Sequence, residues 1–342
     1  MSPLPAPSPS TTDVAIIGAG PVGLFAVFEC GMLKMKCAVF DALDSIGGQC
    51  AALYPEKPIY DIPGYPTIPA AELVEKLETQ AEPFAPTYYL NQRIDRLRAN
   101  GDGFALTTST DVEVMAKAVI IAAGAGAFGP NRPPLVGIEA FEGKSVFYYV
   151  KRREDFRGKR VVIAGGGDSA VDWALALEGI AAHIAVVHRR DKFRAAPESA
   201  ARLAALAKDG RIEMVVPYQL HGLEGSGGVL SSVVVQDLDG ARRTLAADAL
   251  LPFFGLSMDL GPIAGWGLSL ERHHLTVDPA RLETSVPGIF AIGDIASYPG
   301  KLKLILSGFA EAAMAAHAAH GRVFPGQALH FEYSTTKGVP GS

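Results

Sequence analysis

Cysteine is scarce in this chain. Its 342 residues include three, Cys30, Cys37 and Cys50. That odd, small number excludes a secreted disulfide framework and fits a reducing cytoplasmic setting. None stands in a C-x-x-C pair, and no Cys/His cluster has zinc-ligand spacing. An excess of basic charge is also missing. Lys and Arg total 31 against 36 Asp and Glu, a formal net charge of −5. This excludes a strongly basic nucleic-acid binder, though not a local basic patch. No run of about 18 uninterrupted apolar residues occurs, so no membrane-spanning helix is expected. The Pro- and Ser-rich start, Met1 to Thr12, lacks the basic region and apolar core of a secretory signal and reads as a floppy leader. Hydrophobic residues make up 49% and charged residues 20%, which excludes a mostly disordered chain. At roughly 150 residues per domain the length suggests two domains, or one large one. A chain this long buries roughly 75% of its unfolded surface, so its core needs no disulfide or metal.

What is present is a repeat. Val14 to Ile17 is a short apolar run of buried-strand type, followed by Gly18-Ala-Gly20-Pro-Val-Gly23, a helical segment near 22–33, and a second strand, Cys37 to Phe40, ending at Asp41. Much later Arg160 to Ala164 runs into Gly165-Gly-Gly167-Asp168-Ser169-Ala170, a helix near 169–179, and a strand, Ile184 to Val187, ending at His188. Each copy reads strand, glycine turn, helix, strand. The first glycine permits the tight turn, the second lets a pyrophosphate approach bare backbone, and the third, or a small Ala170, lets helix and strand pack closely. The pyrophosphate then meets free N–H groups at the positive end of the helix. The glycine motif alone is a weak signal; the flanking strand and helix in both copies make two dinucleotide sites the expectation.

The ends of the second strands separate the ligands. Asp41 lies 23 positions after Gly18, and His188 lies 23 after Gly165. A carboxylate there accepts hydrogen bonds from an adenosine ribose, as in NAD or FAD, and repels a 2′-phosphate. The second copy instead offers His188, Arg189, Arg190 and Arg194, whose guanidinium forks match phosphate oxygens. The first site is thus expected to take FAD or NAD, and the second NADPH. Near the end, Gly288 to Gly293 is a strand stopping at Asp294. A carboxylate there suits the ribityl hydroxyls of FAD, which NAD lacks. The Ala-rich helix that follows is expected to be capped by Ser307 and Gly321, with Glu311 in its early part.

The fold class expected is α/β: two Rossmann-like three-layer nucleotide-binding domains, the NADP domain inserted in the FAD domain. The first part of the FAD domain is read over 12–123, the NADP domain over 124–286, and the second FAD part with the C-terminal tail over 287–342. Segments 93–117 and 229–250 read as antiparallel strand pairs, with turns at Asn100–Gly103 and Asp237–Gly240.

From about 12 to 340 the chain resembles the thioredoxin-reductase-like ferredoxin/flavodoxin–NADP+ reductases. The resemblance rests on GAGPVG, DALDSIGGQCAALYPEKPIYDIPGYP, GGGDSAVDWAL, HRRDKFRA, GIFAIGD and the tail HFEYSTTKG. Thioredoxin reductases share most of these, but carry a C-x-x-C pair before the second glycine motif. Here the comparable stretch, Phe147 to Arg153, has no cysteine, so a dithiol shuttle has no chemistry there. The resemblance implies that Asp41, where the family more often has Glu, holds the FAD ribose. It implies that Tyr54, in the GGQ…Y motif with Gln49, stacks on one flavin face. Val22, Ile94 and Phe128 match positions lining FAD. Asp294 would contact the ribityl or pyrophosphate portion, Tyr333 would cover the other flavin face, and Thr335 would bond near the ring. In the family these tail positions come from the partner subunit of a homodimer. Cys50 reads as a small packing residue.

The activity so implied is that of a cytoplasmic, FAD-dependent ferredoxin (or flavodoxin)–NADP+ reductase, with FAD and NADP(H) as cofactors and no metal. Such a flavin joins a two-electron nicotinamide to one-electron carriers. Tyr333 is expected to move aside for the nicotinamide, and no side chain stands out as a proton donor. The partner would be acidic and would meet a basic cluster, Lys151, Arg152, Arg153, Arg157, Lys159 and Arg160, or Lys301 and Lys303. Neither nucleic acid nor membrane is expected as a partner. The rival readings are an NADPH-dependent reductase of another acceptor (a thioredoxin-like protein or a quinone) and a flavin-bound NADPH sensor.

Overall fold

The computed structural model describes residues 10–124, 126–327, 329 and 338. The chain forms two compact units. One comprises 1–52, 58–127 and 258–342; the other comprises 53–57 and 128–257.

The first unit is built on a seven-stranded sheet. Its parallel part sets Thr87–Tyr89, Cys37–Phe40, Ser10–Ile17 and Glu113–Ile121 side by side. Glu113–Ile121 is shared along its length. Its start pairs antiparallel with Gly103–Thr108, and its end pairs parallel with Ile289–Ala291. The antiparallel pair expected over 93–117 does not end there: its last strand runs on to Ile121. Val14 to Ile17 and Ala118 to Ile121 are buried, as expected of central parallel strands covered on both faces. Pro21–Met32 is the first nucleotide helix, with Pro21 at its first position, where a missing N–H costs nothing.

The second unit holds a four-stranded parallel sheet in the order Glu213–Val215, His183–Val187, Arg160–Ala164, Ala249–Pro252. Its apolar strands feed two cores by alternation. Val161, Ile163, Ile184 and Val186 pack with Trp173 and Leu177 of the helix Asp168–Leu177 and with Leu203 of the helix Pro197–Lys208. Val162, Ala164, Ala185 and Val187 pack with Val233, Val235 and Leu245. Those last three belong to an antiparallel sheet, Gln219–Ser226, Val229–Gln236 and Arg242–Ala246. The layers are therefore helices, parallel sheet and antiparallel sheet. The strand Gln219–Ser226 was not read from sequence.

Two expectations change. The second unit closes at Ser257, not near 286. Leu260, Ile263, Leu268, Leu275, Val277 and Leu282 are buried in the first unit's core, and this burial holds 258–286 there. The last helix spans Ile305–Val323 with Leu304 at its N-cap and Phe324 at its C-cap. Ser307 lies inside the first turn and Gly321 inside the last, so neither caps it. Among the described residues no helix is long and apolar enough to cross a membrane.

Candidate functional site

The three glycines of the first turn do separate work. Gly18 has φ +112, and a Cβ there would lie 2.3 Å from the Ala122 carbonyl oxygen. A Cβ on Gly23 would lie 1.9 Å from the Gly18 carbonyl oxygen, so helix and strand approach only because it is absent. A Cβ on Gly20 would meet nothing within 4 Å. The open glycine is the one at the helix N-terminus, whose N–H groups no side chain caps. That combination fits an anionic pyrophosphate.

A second loop straps this turn. The Gly47 N–H donates to the Ala19 carbonyl at 2.9 Å, and Gly48 approaches Gly20 so closely that a Cβ would lie 3.1 Å from its Cα. Gly47 and Gly48 take φ +112 and +55, which explains the glycine pair ahead of Gln49. The Gln49 side-chain amide lies near Gly124, just past the end of the strand Glu113–Ile121. Asp41 faces inward. Its Oδ2 accepts from the Ala19 N–H at 2.7 Å and its Oδ1 from the Leu43 N–H at 2.9 Å. Burial raises its carboxyl above the usual carboxylate range, against the lowering effect of these N–H groups. Ile94 is 2% exposed and packs in the first unit's core, paired with Thr108 in the sheet. Val22 fills the space beside Gly293 and Gly308. Added Cβ atoms would lie 3.6 Å and 2.4 Å from it.

Asp294 sits exposed on the short helical turn Gly293–Ile295. Behind it Glu311 is 2% exposed. Its Oε2 accepts from the Gly293 N–H at 2.7 Å; its Oε1 accepts from the Tyr298 hydroxyl at 2.7 Å and from Lys301 Nζ. Burial and this carboxylate push the Tyr298 hydroxyl up to about 12. The sequence reading took Glu311 for a helix-dipole residue and Lys301 for a surface contact. The Lys301 side chain is 7% exposed and paired with Glu311, so it is withdrawn from any docking surface. Lys303 remains exposed, bonded to His274 Nε2 at 2.7 Å.

The second turn repeats the steric pattern. Gly165 has φ +153, and a Cβ there would lie 2.6 Å from the Phe253 carbonyl oxygen. A Cβ on Gly167, at the N-cap of Asp168–Leu177, would meet nothing within 4 Å. Ala170 in third place is fully buried. The His188 imidazole lies over Gly166, where a Cβ would be 2.1 Å away. Burial lowers its pKa, and Arg189, Arg190 and Arg194 lower it further. The basic loop folds back on the turn: the Arg194 N–H donates to the Gly166 carbonyl at 2.6 Å, and the Ala196 N–H donates to Asp168 Oδ1 at 2.9 Å. Asp168 is thus occupied as a strap, while Ser169 is exposed. Among the described residues, Arg189, Arg190 and Arg194 have no carboxylate partner within ion-pair distance. Arg189 and Arg190 line a cavity of about 280 Å³ with Pro217, Tyr218, Gln219, Gln236 and Leu238.

The other basic cluster is largely neutralised. Arg152 pairs with Asp155, Arg153 with Glu56, Arg157 with Glu154, and Arg160 with Asp248. Lys151 and Lys159 are left. Tyr54 packs in the second unit, with Lys57 Nζ 5.6 Å from its ring centroid. Phe128 lies in the strand Ala127–Pro130, and its side chain is outside the described residues, as are Tyr333 and Thr335. Cys30, Cys37 and Cys50 are buried and none is in a disulfide.

Comparison with known proteins gives a consistent picture. Residues 12–321 match the family described as pyridine nucleotide-disulphide oxidoreductase. A protein of Granulibacter bethesdensis named ferredoxin–NADP reductase is 68% identical over 96% of this chain and 95% of its own length. One of the same name from Paramagnetospirillum magneticum is 65% identical over 96% and 98%. Among solved structures, Lactococcus lactis thioredoxin reductase (FR conformation) superposes with a TM-score of 0.79 at 27% identity, over 91% of this chain and 99% of that one.

Proposed function

The chain belongs to the pyridine nucleotide-disulphide oxidoreductase family, and from that premise we propose how its residues divide the work of a ferredoxin–NADP reductase. The chain is a flavin-dependent NADPH oxidoreductase of that kind, with FAD and NADP(H) as cofactors. FAD belongs at the first glycine turn, with its pyrophosphate against Gly20, its ribose near Asp41 and its ribityl chain near Asp294. NADP(H) belongs at the second, with its pyrophosphate against Gly167 and its 2′-phosphate among Arg189, Arg190 and Arg194. The observation that carries this division is the contrast between the two strand ends: a half-buried carboxylate at Asp41 and, after His188, guanidinium groups with no carboxylate partner among the described residues.

When bound, the flavin exchanges a hydride with nicotinamide and single electrons with a carrier. The protein's part is to place, shield and hold. Gly20 and Gly167 leave N–H groups bare for phosphate, Asp41 and Asp168 fix the turn geometry, and Glu311 anchors the Asp294 segment. The aromatic residues expected at the flavin faces are Tyr54 and, from the partner subunit of a homodimer, Tyr333. The three buried cysteines outside any disulfide support a reducing, cytoplasmic setting; the two that touch, Cys30 and Cys37, lie in the first unit's core and not before the second glycine turn, which argues against a thioredoxin-type dithiol relay.

The carrier is a ferredoxin or flavodoxin. The test is NADPH-driven cytochrome c reduction by the purified yellow protein, with and without ferredoxin. A large ferredoxin-dependent increase that falls with salt is expected. No increase, despite flavin that NADPH readily bleaches, would point to another acceptor and sink the assignment of the carrier.

A further inference from the structure

A carboxylate buried in apolar surroundings is costly unless it is paired and hydrogen-bonded. Glu311 meets that condition with three donors, and the identity of those donors is informative. One is the Gly293 N–H, immediately before Asp294; the other two are Tyr298 and Lys301. One side chain therefore ties down both ends of the segment 293–301. Within the segment, the turn bearing Asp294 is a single 3-10 turn closed by one backbone bond, from the Ala296 N–H to the Gly293 carbonyl. The turn is continuous with short paired strands on both sides, and the Glu311 bond falls at its first residue. Gly293, with φ +72, also packs on Val22 at the start of the first nucleotide helix. Gly308 packs on the same valine from the last helix. The position of Asp294 beside the first glycine turn is thus set by strand pairs on either flank, Ile289–Ala291 with Glu113–Ile121 and Ala296–Ser297 with His274–Thr276, by a valine between two glycines and by one buried carboxylate.

We propose that Glu311 is a positioning residue for FAD: through the Gly293 N–H it fixes where Asp294 presents its carboxylate, and Lys301 supplies the charge that keeps Glu311 at its buried post. The inference rests on the reading that FAD occupies the first glycine turn. It gives Lys301, whose side chain is 7% exposed, a role in cofactor retention.

The test is a double-mutant cycle on FAD affinity, measured on the apoprotein by quenching of FAD fluorescence, with apoprotein melting temperature as a parallel readout. Hydrogen bonds to charged groups are worth roughly 1.5–3 kcal/mol, so Glu311→Gln and Asp294→Ala are each expected to weaken FAD binding by about tenfold or more. Because one acts through the other, the double variant binds no more weakly than Asp294→Ala alone. Losses that simply add, or a Glu311→Gln protein that melts lower yet binds FAD like the parent, would overturn the proposal. If Glu311→Gln does not fold, Tyr298→Phe removes one bond to the same carboxylate and carries the same cycle with a smaller loss. Additivity there overturns the proposal equally. Failure of the underlying reading looks different: FAD binding would survive both Asp294→Ala and Gly20→Ala, which fills the open turn.

Discussion

The second glycine turn allows stability and ligand binding to be separated by two substitutions two residues apart. Gly167 has φ −99 and ψ −177, which alanine adopts freely, and a Cβ there meets nothing within 4 Å. Alanine is the poorer helix N-cap, but it restricts the unfolded chain by about 0.4–1 kcal/mol in the opposite sense. Gly167→Ala is therefore expected to leave the melting temperature within about 4 °C of the parent. Gly165 has φ +153 and faces the Phe253 carbonyl oxygen, 2.6 Å from an added Cβ. Gly165→Ala is expected to cost about 1–3 kcal/mol in backbone strain, with the steric contact added to it. Binding reverses the order of severity. The empty space at Gly167 is where the pyrophosphate approaches, and one or two lost hydrogen bonds to charged phosphate oxygens weaken NADP+ by about ten- to a hundredfold or more. The assay is titration of the FAD-loaded protein with NADP+, followed by the flavin difference spectrum, beside a thermal melt. A Gly167→Ala protein that binds NADP+ like the parent would refute the argument. So would a Gly165→Ala protein that melts unchanged.

Two further predictions concern the neighbouring strand end. Replacing Arg189 and Arg190 together by Ala is expected to cut the preference for NADPH over NADH, as a ratio of kcat/KM, by about a hundredfold or more while leaving NADH use intact; equal losses with both cofactors would refute the phosphate role. His188 has its pKa lowered by burial and by Arg189, Arg190 and Arg194. Its unfolded form, near pH 6.5, takes up a proton that the folded form refuses. Its contribution to stability is full above about pH 6.5 and declines as the pH falls below it. His188→Gln should therefore lose less melting temperature than the parent between about pH 7.5 and pH 5.5, and identical slopes would count against this assignment.

What was legible in the sequence was local. Gly18, Gly23, Gly165 and Ala170 are small because adjacent backbone or an adjacent helix occupies the space. That requirement repeats at fixed offsets, so it can be read from one chain. The strands around them were legible because both faces are buried and the residues are apolar throughout. What was missed depends on residues far apart in sequence. Leu260 to Leu282 carries no mark of returning to the first unit's core; only tertiary packing decides it. Ser307 and Gly321 have the chemistry of caps, yet the helix extends beyond both because the turns on either side continue it.

Charge was the least legible property, and the reason is specific. Read along the chain, residues 151–160 are a basic run and Lys301 is one more surface lysine. In the fold Arg153 meets Glu56, Arg160 meets Asp248, and Lys301 meets the buried Glu311. These carboxylates come from outside the local run, and Asp155 and Glu154 within it take Arg152 and Arg157, so counting the basic residues alone overstates the field at that surface. The same comparison strengthens the other basic segment. Arg189, Arg190 and Arg194 keep their charge unopposed among the described residues, and the backbone of Arg194 is pinned to the turn at Gly166. Guanidinium groups left without carboxylate partners in one loop repel one another, and a doubly charged phosphate ester relieves that cost. An acidic protein would meet fewer free cations at 151–160 than the sequence suggests. Salt sensitivity should therefore be steeper for NADPH binding than for carrier docking.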